Sequence, residues 1–122
     1  MKTLLAITLF TVLTATAGAS TVPVLSCFGT EPFWGISTDA KGVLSFNNPR
    51  SDEIKVYPKT ELKKASGTPE LYAFQIEAHN QAKSTLKLNV VRNECNDGMS
   101  DKIYTYTALV DVDGDLLMGC CN

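Results

Sequence analysis

Residues 106–121 read YTALVDVDGDLLMGCC, two largely apolar runs joined by Asp113-Gly114. Asp-Gly is favoured in the two-residue type I′ turn of a β-hairpin, because both central positions of that turn need a positive φ. A hairpin with this turn places its apolar side chains on one face. The predicted opposing pairs are Val112 and Asp115, Val110 and Leu117, Ala108 and Gly119, and Tyr106 and Cys121.

The same register separates two adjacent cysteines. Cys120 falls opposite Thr107, on the other face from Cys121, because successive side chains of a strand point to opposite sides. Apolar residues at positions 86, 88 and 90 mark the inner face of an earlier strand, and extrapolation along the chain puts Cys95 on the outer face. We therefore predict that Cys95 pairs with Cys120 and that Cys27 pairs with Cys121, which ties the first strand to the last.

The rest of the chain is a series of short alternating segments broken by Gly, Pro, Asn and Asp. This pattern predicts an all-β fold, a small antiparallel β-barrel or sandwich of about eight strands stapled by disulfides. The candidate strands are residues 22–28, 33–38, 43–46, 53–57, 61–65, 71–78, 85–91, 104–112 and 115–121.

The first 19 residues have the pattern of a secretory signal peptide. A positive start at Met1-Lys2 precedes an apolar run of about ten residues, which is too short to span a membrane. Small residues at Ala17 and Ala19 favour cleavage before Ser20, and Ala15 with Ala17 permits an earlier cut. We predict a signal peptide at 1–19, a single β domain at 20–122, and no membrane span after signal removal. An alternative, lipidation of Cys27, requires a small residue where Leu25 stands.

Charge and length exclude several classes of function. The 122 residues carry eleven basic and thirteen acidic side chains, a net charge of −2, so there is no basic stripe for a phosphate backbone. Apolar residues make up 44% of the chain, which argues against disorder. Nucleic acid is therefore not an expected partner.

The residues needed for common catalytic sites are missing from the sequence. His79 is the single imidazole and lies in a polar run typical of a loop, and the four cysteines are predicted to be oxidised. We predict no catalytic residue, no cofactor and no enzymatic activity. Asp111, Asp113 and Asp115 leave metal binding as an alternative, although a charged hairpin turn explains them without a metal ion.

Two loops stand out as candidate binding segments. Glu31-Pro32-Phe33-Trp34 sets a carboxylate beside two aromatic residues, of which one is expected in the core and one at the surface because they are adjacent on a strand. Residues 96–101 combine carboxylates, a hydroxyl and a thioether in a turn that begins at Cys95, and this turn either binds a ligand or caps a short helix. The candidate binding residues are Glu31, Phe33, Trp34, Asp97, Met99, Ser100 and Asp101.

Three motifs resemble those of a group of small exported bacterial proteins without an assigned function. They are CFGTEPFW at residues 27–34, CNDGMSD at 95–101 followed by Tyr104, and GCC at 119–121. Members of this group are similar in architecture to META-domain envelope lipoproteins, and they sometimes share a chain with domains similar to the membrane-bound inhibitors of c-type lysozyme. The resemblance implies a compact β domain in a Gram-negative cell envelope and no established enzymatic activity.

These observations predict a monomeric periplasmic or secreted binding module that recognises an envelope protein or a small ligand. Glu31, Asp97 and Asp101 would supply charge, and Trp34 would supply contact area. A second hypothesis is an inhibitor of a lysozyme or another cell-wall hydrolase, in which acidic loops approach a cationic enzyme. Loss of Lys2 with the signal peptide leaves ten basic against thirteen acidic residues, a net charge of −3.

Overall fold

The computed structural model describes residues 10–13, 21–48 and 50–122. Most of the predicted signal peptide and both candidate cleavage sites lie outside the described residues. Within the described ranges there is no helix, and so no helix of the length and apolar character needed to cross a membrane.

Eleven β-strands form among the described residues, and nine of them match the segments predicted from the sequence. The two additional strands, β8 and β9, contain two residues each. The strands are β1 (Ser26–Thr30), β2 (Phe33–Thr38), β3 (Leu44–Asn47), β4 (Ile54–Tyr57), β5 (Lys59–Lys64), β6 (Ala73–His79), β7 (Thr85–Val91), β8 (Cys95–Asn96), β9 (Ile103–Tyr104), β10 (Tyr106–Val112) and β11 (Asp115–Cys121).

The carboxyl-terminal hairpin has the predicted register throughout. Val112 pairs with Asp115, and Tyr106 pairs with Cys121. Asp113 and Gly114 have φ values of 48° and 89°, the left-handed backbone that a type I′ turn requires.

Nine strands form one antiparallel sheet that is nearly closed into a barrel. The strand order is β4-β3-β2-β1-β11-β10-β7-β6-β5. The pairing of β1 with β11 joins the two ends of the domain, while the sheet edges β4 and β5 are consecutive in the chain and are separated only by Pro58. The prediction of an all-β, barrel-like fold is therefore confirmed, and the strands form one curved sheet rather than the two sheets of a sandwich.

Several predicted strand boundaries are wrong, three of them for reasons that the local structure shows. The first strand begins at Ser26, not at residue 22, because the Thr38 hydroxyl binds the preceding segment: it accepts from the Leu25 amide and donates to the Pro23 carbonyl, both at 2.7 Å. Leu71 has a φ of 55°, so β6 begins only at Ala73. Tyr104 pairs with Cys95 in a separate hairpin, which divides the predicted 104–112 strand.

The two predicted disulfides are both present. Cys27–Cys121 links β1 to β11, and Cys95–Cys120 links β8 to the outer face of β11. They close stretches of 94 and 25 residues, and the chain-entropy relation assigns about 4.7 and 3.5 kcal/mol to such closures. The bond from Cys27 to Cys121 also contradicts the alternative of a lipid on the Cys27 sulfur. Two disulfides fit an oxidising compartment outside the cytosol.

Trp34 is the residue around which the closing strands pack. Its indole crosses from β2 over Gly29 of β1 to Gly119 of β11, and a Cβ atom at either glycine would overlap the ring. Only glycine therefore fits at both positions. The buried apolar core extends from this ring along the inward positions of the barrel. It includes Ile36, Leu44, Phe46, Tyr57, Ile76, Leu86, Leu88 and Val110.

The alternation of strand direction places four connections at one end of the barrel. These are Glu31-Pro32, residues 48–53, residues 80–84 and Asp113-Gly114. Asp113 contacts Lys55 of β4 and Ser84 of the 80–84 connection, so the last turn lies beside both.

The glycine–indole packing predicts a contrast between two Gly→Ala variants. Gly119→Ala should lower the free energy of unfolding by about 2–3 kcal/mol, because its Cβ would overlap the Phe28 carbonyl and the Trp34 ring. Gly35→Ala is the matched control, since its Cβ would lie 3.9 Å from the nearest atom, and it should change stability by less than about 1 kcal/mol. Urea unfolding of both variants checks this, and equal losses would contradict the proposed role of Trp34.

Candidate functional site

β8 and β9 form a small hairpin on the outer face of the barrel. The Cys95–Cys120 disulfide attaches it to β11, and the ring of Tyr104 packs edge-on against Phe28 of β1 with centroids 4.7 Å apart. Lys102 Nζ lies 4.9 Å from the Tyr104 ring centroid. Covalent and aromatic contacts thus hold residues 95–104 against the strands that close the barrel. We call this segment the outer hairpin.

The tip of the outer hairpin is an acidic turn formed by residues 96–101. Asn96 Oδ1 accepts from the Gly98 amide at 2.7 Å, and Asp97 Oδ1 accepts from the Met99 amide at 2.8 Å. Ser100 Oγ accepts from the Lys102 amide at 3.2 Å. Side chains therefore satisfy the turn backbone, and the alternative in which Ser100 or Asp101 caps a helix is wrong.

The acidic turn meets the end of β1. Thr30 Oγ1 donates to the Asp97 carbonyl at 3.3 Å. A groove of about 220 Å³ lies along this contact, between the barrel and the outer hairpin. Its lining consists of residues 28–31, residues 95–97 and residues 118–120. We call it the hairpin groove.

The structure brings some of the predicted binding residues to the hairpin groove and leaves others outside it. Glu31 and Asp97 both line the groove. Met99, Ser100 and Asp101 are exposed on the acidic turn beyond the lining. Phe33, with 66% of its surface exposed, faces a different groove over β2 and β3.

The expectation that Trp34 supplies binding area is wrong. Trp34 is only 5% exposed because its indole fills the space above Gly29 and Gly119 inside the barrel. The prediction that adjacent aromatic residues divide between core and surface is confirmed, and Phe33 is the one at the surface.

Sequence reasoning missed Met118 as a lining residue. Its side chain is 68% exposed and lies at the hairpin groove, opposite Leu109 of β10. Leu116, two residues earlier on the same face, is 65% exposed. The predicted register already placed Leu109, Leu116 and Met118 on the outer face of the last hairpin. Apolar residues at outward positions were therefore the signal that the sequence offered.

Each of the three aspartates of the last hairpin forms a hydrogen bond or an ion pair with another group of the protein. Asp113 Oδ2 lies 3.0 Å from Lys55 Nζ and accepts from Ser84 Oγ at 2.6 Å. Asp111 Oδ1 accepts from the Gly114 amide at 3.2 Å, and Asp115 lies 3.8 Å from Arg50. Among residues 10–13, 21–48 and 50–122, no three His, Cys, Asp or Glu side chains gather as a metal site would require.

Asp113 is the centre of a polar network that closes one end of the barrel. Because the Ser84 hydroxyl donates to Asp113, the Tyr57 hydroxyl, 2.7 Å away, donates to Ser84. Partial burial opposes ionisation, but hydrogen bonds from Ser84, Lys55 and the Thr85 amide, with the Lys55 charge, outweigh it and lower the pKa of Asp113. The hydrogen bond to Asp113 raises the pKa of Lys55. The arrangement stabilises an ion pair and leaves Asp113 a weak base.

His79 and the cysteines form no thiol–imidazole pair. His79 Nε2 lies 3.0 Å from Glu77 Oε1 on the exposed surface, and all four cysteines are in disulfides. The hairpin groove itself presents the carboxylates of Glu31 and Asp97 beside the apolar side chains of Phe28 and Met118.

Comparison of the chain with protein-family models, with curated proteins and with solved structures finds no match.

The polar network predicts a pH-dependent effect of Asp113→Asn. Asparagine tolerates the left-handed backbone at this position, so the variant removes the charge and keeps the turn. A lowered folded-state pKa stabilises the fold above the unfolded-state pKa, and this contribution is lost as pH falls through the folded-state pKa. At neutral pH we expect a loss of about 1 kcal/mol, discounted for the 39% exposure of the Asp113 side chain.

Urea unfolding at neutral pH and at pH ~3 measures this effect, and the difference from wild type should shrink in acid. The Lys55 contribution, with its raised pKa, is present below the unfolded-state pKa and is lost only in alkali. Asp115→Asn is the control, because its ion pair with Arg50 is long and exposed, and it should change stability by less than about 0.5 kcal/mol. A deficit in Asp113→Asn that is independent of pH would contradict the assigned role.

Proposed function

We propose that this protein is a non-enzymatic binding module of the Gram-negative cell envelope, exported by its signal peptide. Its partner binds at the hairpin groove. The observation that carries this proposal is that the Cys95–Cys120 disulfide and the Thr30–Asp97 hydrogen bond hold an acidic turn against β11 and the end of β1, next to Glu31. A binding surface made of loops binds more tightly when the loops are fixed before binding, because ordering them on binding costs free energy.

The chemistry of the hairpin groove supports a partner with an apolar contact and a positive charge. Met118 and Phe28 supply apolar surface, while Glu31 and Asp97 are the charged residues of the lining. Leu116 and Leu109 extend the exposed apolar surface beyond the groove. Complementary charge around an apolar centre is the usual arrangement of a protein-recognition surface.

Site-specific photo-crosslinking in the envelope of the producing cells tests this proposal. A benzophenone amino acid at position 118 should yield a discrete adduct, and the same probe at Lys63, an exposed position on β5, should not. Glu31→Gln with Asp97→Asn should weaken partner binding about tenfold, chiefly through slower association, and reduce its salt dependence. The Asp97→Asn change keeps a side-chain oxygen that can accept from the Met99 amide, so the turn is preserved.

An identical adduct pattern at positions 118 and 63 would contradict the proposal. An adduct at position 118 whose yield is unaffected by removal of both charges would contradict the assigned role of Glu31 and Asp97. Circular dichroism of each variant verifies that the fold is intact.

A second candidate function is the inhibition of a lysozyme or another cell-wall hydrolase. The exposed side chains of Asp101 and Met99 on the acidic turn favour it, because a projecting acidic turn on a rigid base suits the cleft of a cationic enzyme. Turnover of a cell-wall substrate by lysozyme should then fall in the presence of the protein, more at low salt than at moderate salt. Unchanged turnover with excess protein at low salt would eliminate lysozyme as the target.

A further inference from the structure

A second groove lies on the outer face of β2 and β3 and shares no lining residue with the hairpin groove. Its volume is about 570 Å³, within the range of small-molecule sites. Phe33 and Gly35 of β2 lie on one side, and Asn47 of β3 lies on the other. Asn48, Arg50 and Asp52, from the loop after β3, complete the part of the lining used below.

Gly35 is a glycine that the fold does not require. The neighbours Trp34 and Ile36 point inward, so position 35 faces outward. A Cβ atom there would lie 3.9 Å from Asn47 Cβ and 4.0 Å from the Cys27 carbonyl oxygen, which are ordinary van der Waals distances. Glycine within a strand is destabilising, and it often marks a place where a ligand approaches the backbone. Because Gly35 has no side chain, the backbone of β2 is uncovered between Phe33 and Asn47, and we call this uncovered stretch the floor of the groove.

Phe33 forms an exposed apolar wall beside that floor. Its side chain is 66% exposed, although the adjacent Trp34 is buried. An aromatic ring presented to solvent next to a polar groove offers a flat face for stacking.

The polar groups of the groove are mixed in type and balanced in charge. Asn47 and Asn48 supply both donors and acceptors, and Arg50 and Asp52 are one cation and one anion. Arg50 is weakly engaged, since its guanidinium lies 3.8 Å from Asp115 and both side chains are more than half exposed. An anionic ligand would need donors only, and Asp52 would oppose it. A wholly apolar ligand would leave the amides without partners.

We propose that this groove binds an uncharged saccharide. A pyranose ring has a C–H face that can lie on Phe33, and each of its hydroxyl groups is both donor and acceptor, which matches the asparagine amides. The open floor at Gly35 admits the ring to the backbone of β2. The groove is open at its surface, so a sugar unit within a longer chain can enter it.

Binding of neutral disaccharides to the mature protein, followed by NMR chemical shifts, tests this inference. The probes are cellobiose, maltose and the β-1,4-linked dimer of N-acetylglucosamine. At least one should bind saturably with a Kd of about 1 mM or tighter and shift residues 33–35, 47–48 and 50–52. Phe33→Ala should weaken binding about tenfold, and Gly35→Leu, which fills the floor, should abolish it. Tyr72→Ala, which removes an exposed aromatic side chain distant from the groove, should bind as wild type does.

Absence of saturable binding to every probe would overturn the proposal. So would binding that survives both Phe33→Ala and Gly35→Leu in folded protein. If Gly35→Leu does not fold, Phe33→Ala alone decides, because this exposed side chain is not needed for the core. Shifts in residues 33–35 caused by a short uncharged peptide but by none of the sugars would assign the groove to peptides and overturn the saccharide proposal.

Discussion

The packing of the Trp34 indole across Gly29 and Gly119 is the contact on which the barrel depends. It brings β2, β1 and β11 together at the place where the first strand of the domain meets the last. The Cys27–Cys121 bond lies two residues away along both closing strands. A large apolar ring and a disulfide thus stabilise the same pairing, one by filling the interior and the other by restricting the unfolded chain. Without this pairing the curved sheet would have two more open edges.

The outer surface follows from the same closing strands. Cys121 points inward to Cys27, so its neighbour Cys120 must point outward, where it attaches the outer hairpin. The hairpin packs against one side of Phe28 and stops short of Met118 and Leu116, which stay exposed. The hairpin groove is therefore the boundary between the covered and the uncovered part of one sheet face. Its acidic sides and apolar floor support the proposed role in recognition.

Phe33 and Thr30, which are paired across β2 and β1, separate the two grooves. The hairpin groove has carboxylates over an apolar floor, and the groove at Gly35 has amides and balanced charges beside an aromatic ring. Because the linings of the two grooves differ in chemistry, we expect the grooves to bind different ligands. Because the lining residues do not overlap, the two proposals stand or fall separately.

The sequence by itself determined nine of the eleven strands of the described residues, although not all of their bounds, together with the register of the last hairpin and the partner of each cysteine. Local rules suffice there, since Asp113-Gly114 specifies its turn and alternation assigns every later side chain to a face. The alternation of side chains along a strand also predicted that one of Phe33 and Trp34 would lie in the core and the other at the surface. Only the tertiary structure decided which of them is buried, because the answer depends on Gly29 and Gly119, which lie on two other strands. The sequence singled out Glu31 and Asp97, which both line the hairpin groove. The lining by Met118 and the open floor at Gly35 depend on how far the outer hairpin and the residues after β3 extend over the sheet. Such distances are set by the packing of separate segments, which no local pattern encodes.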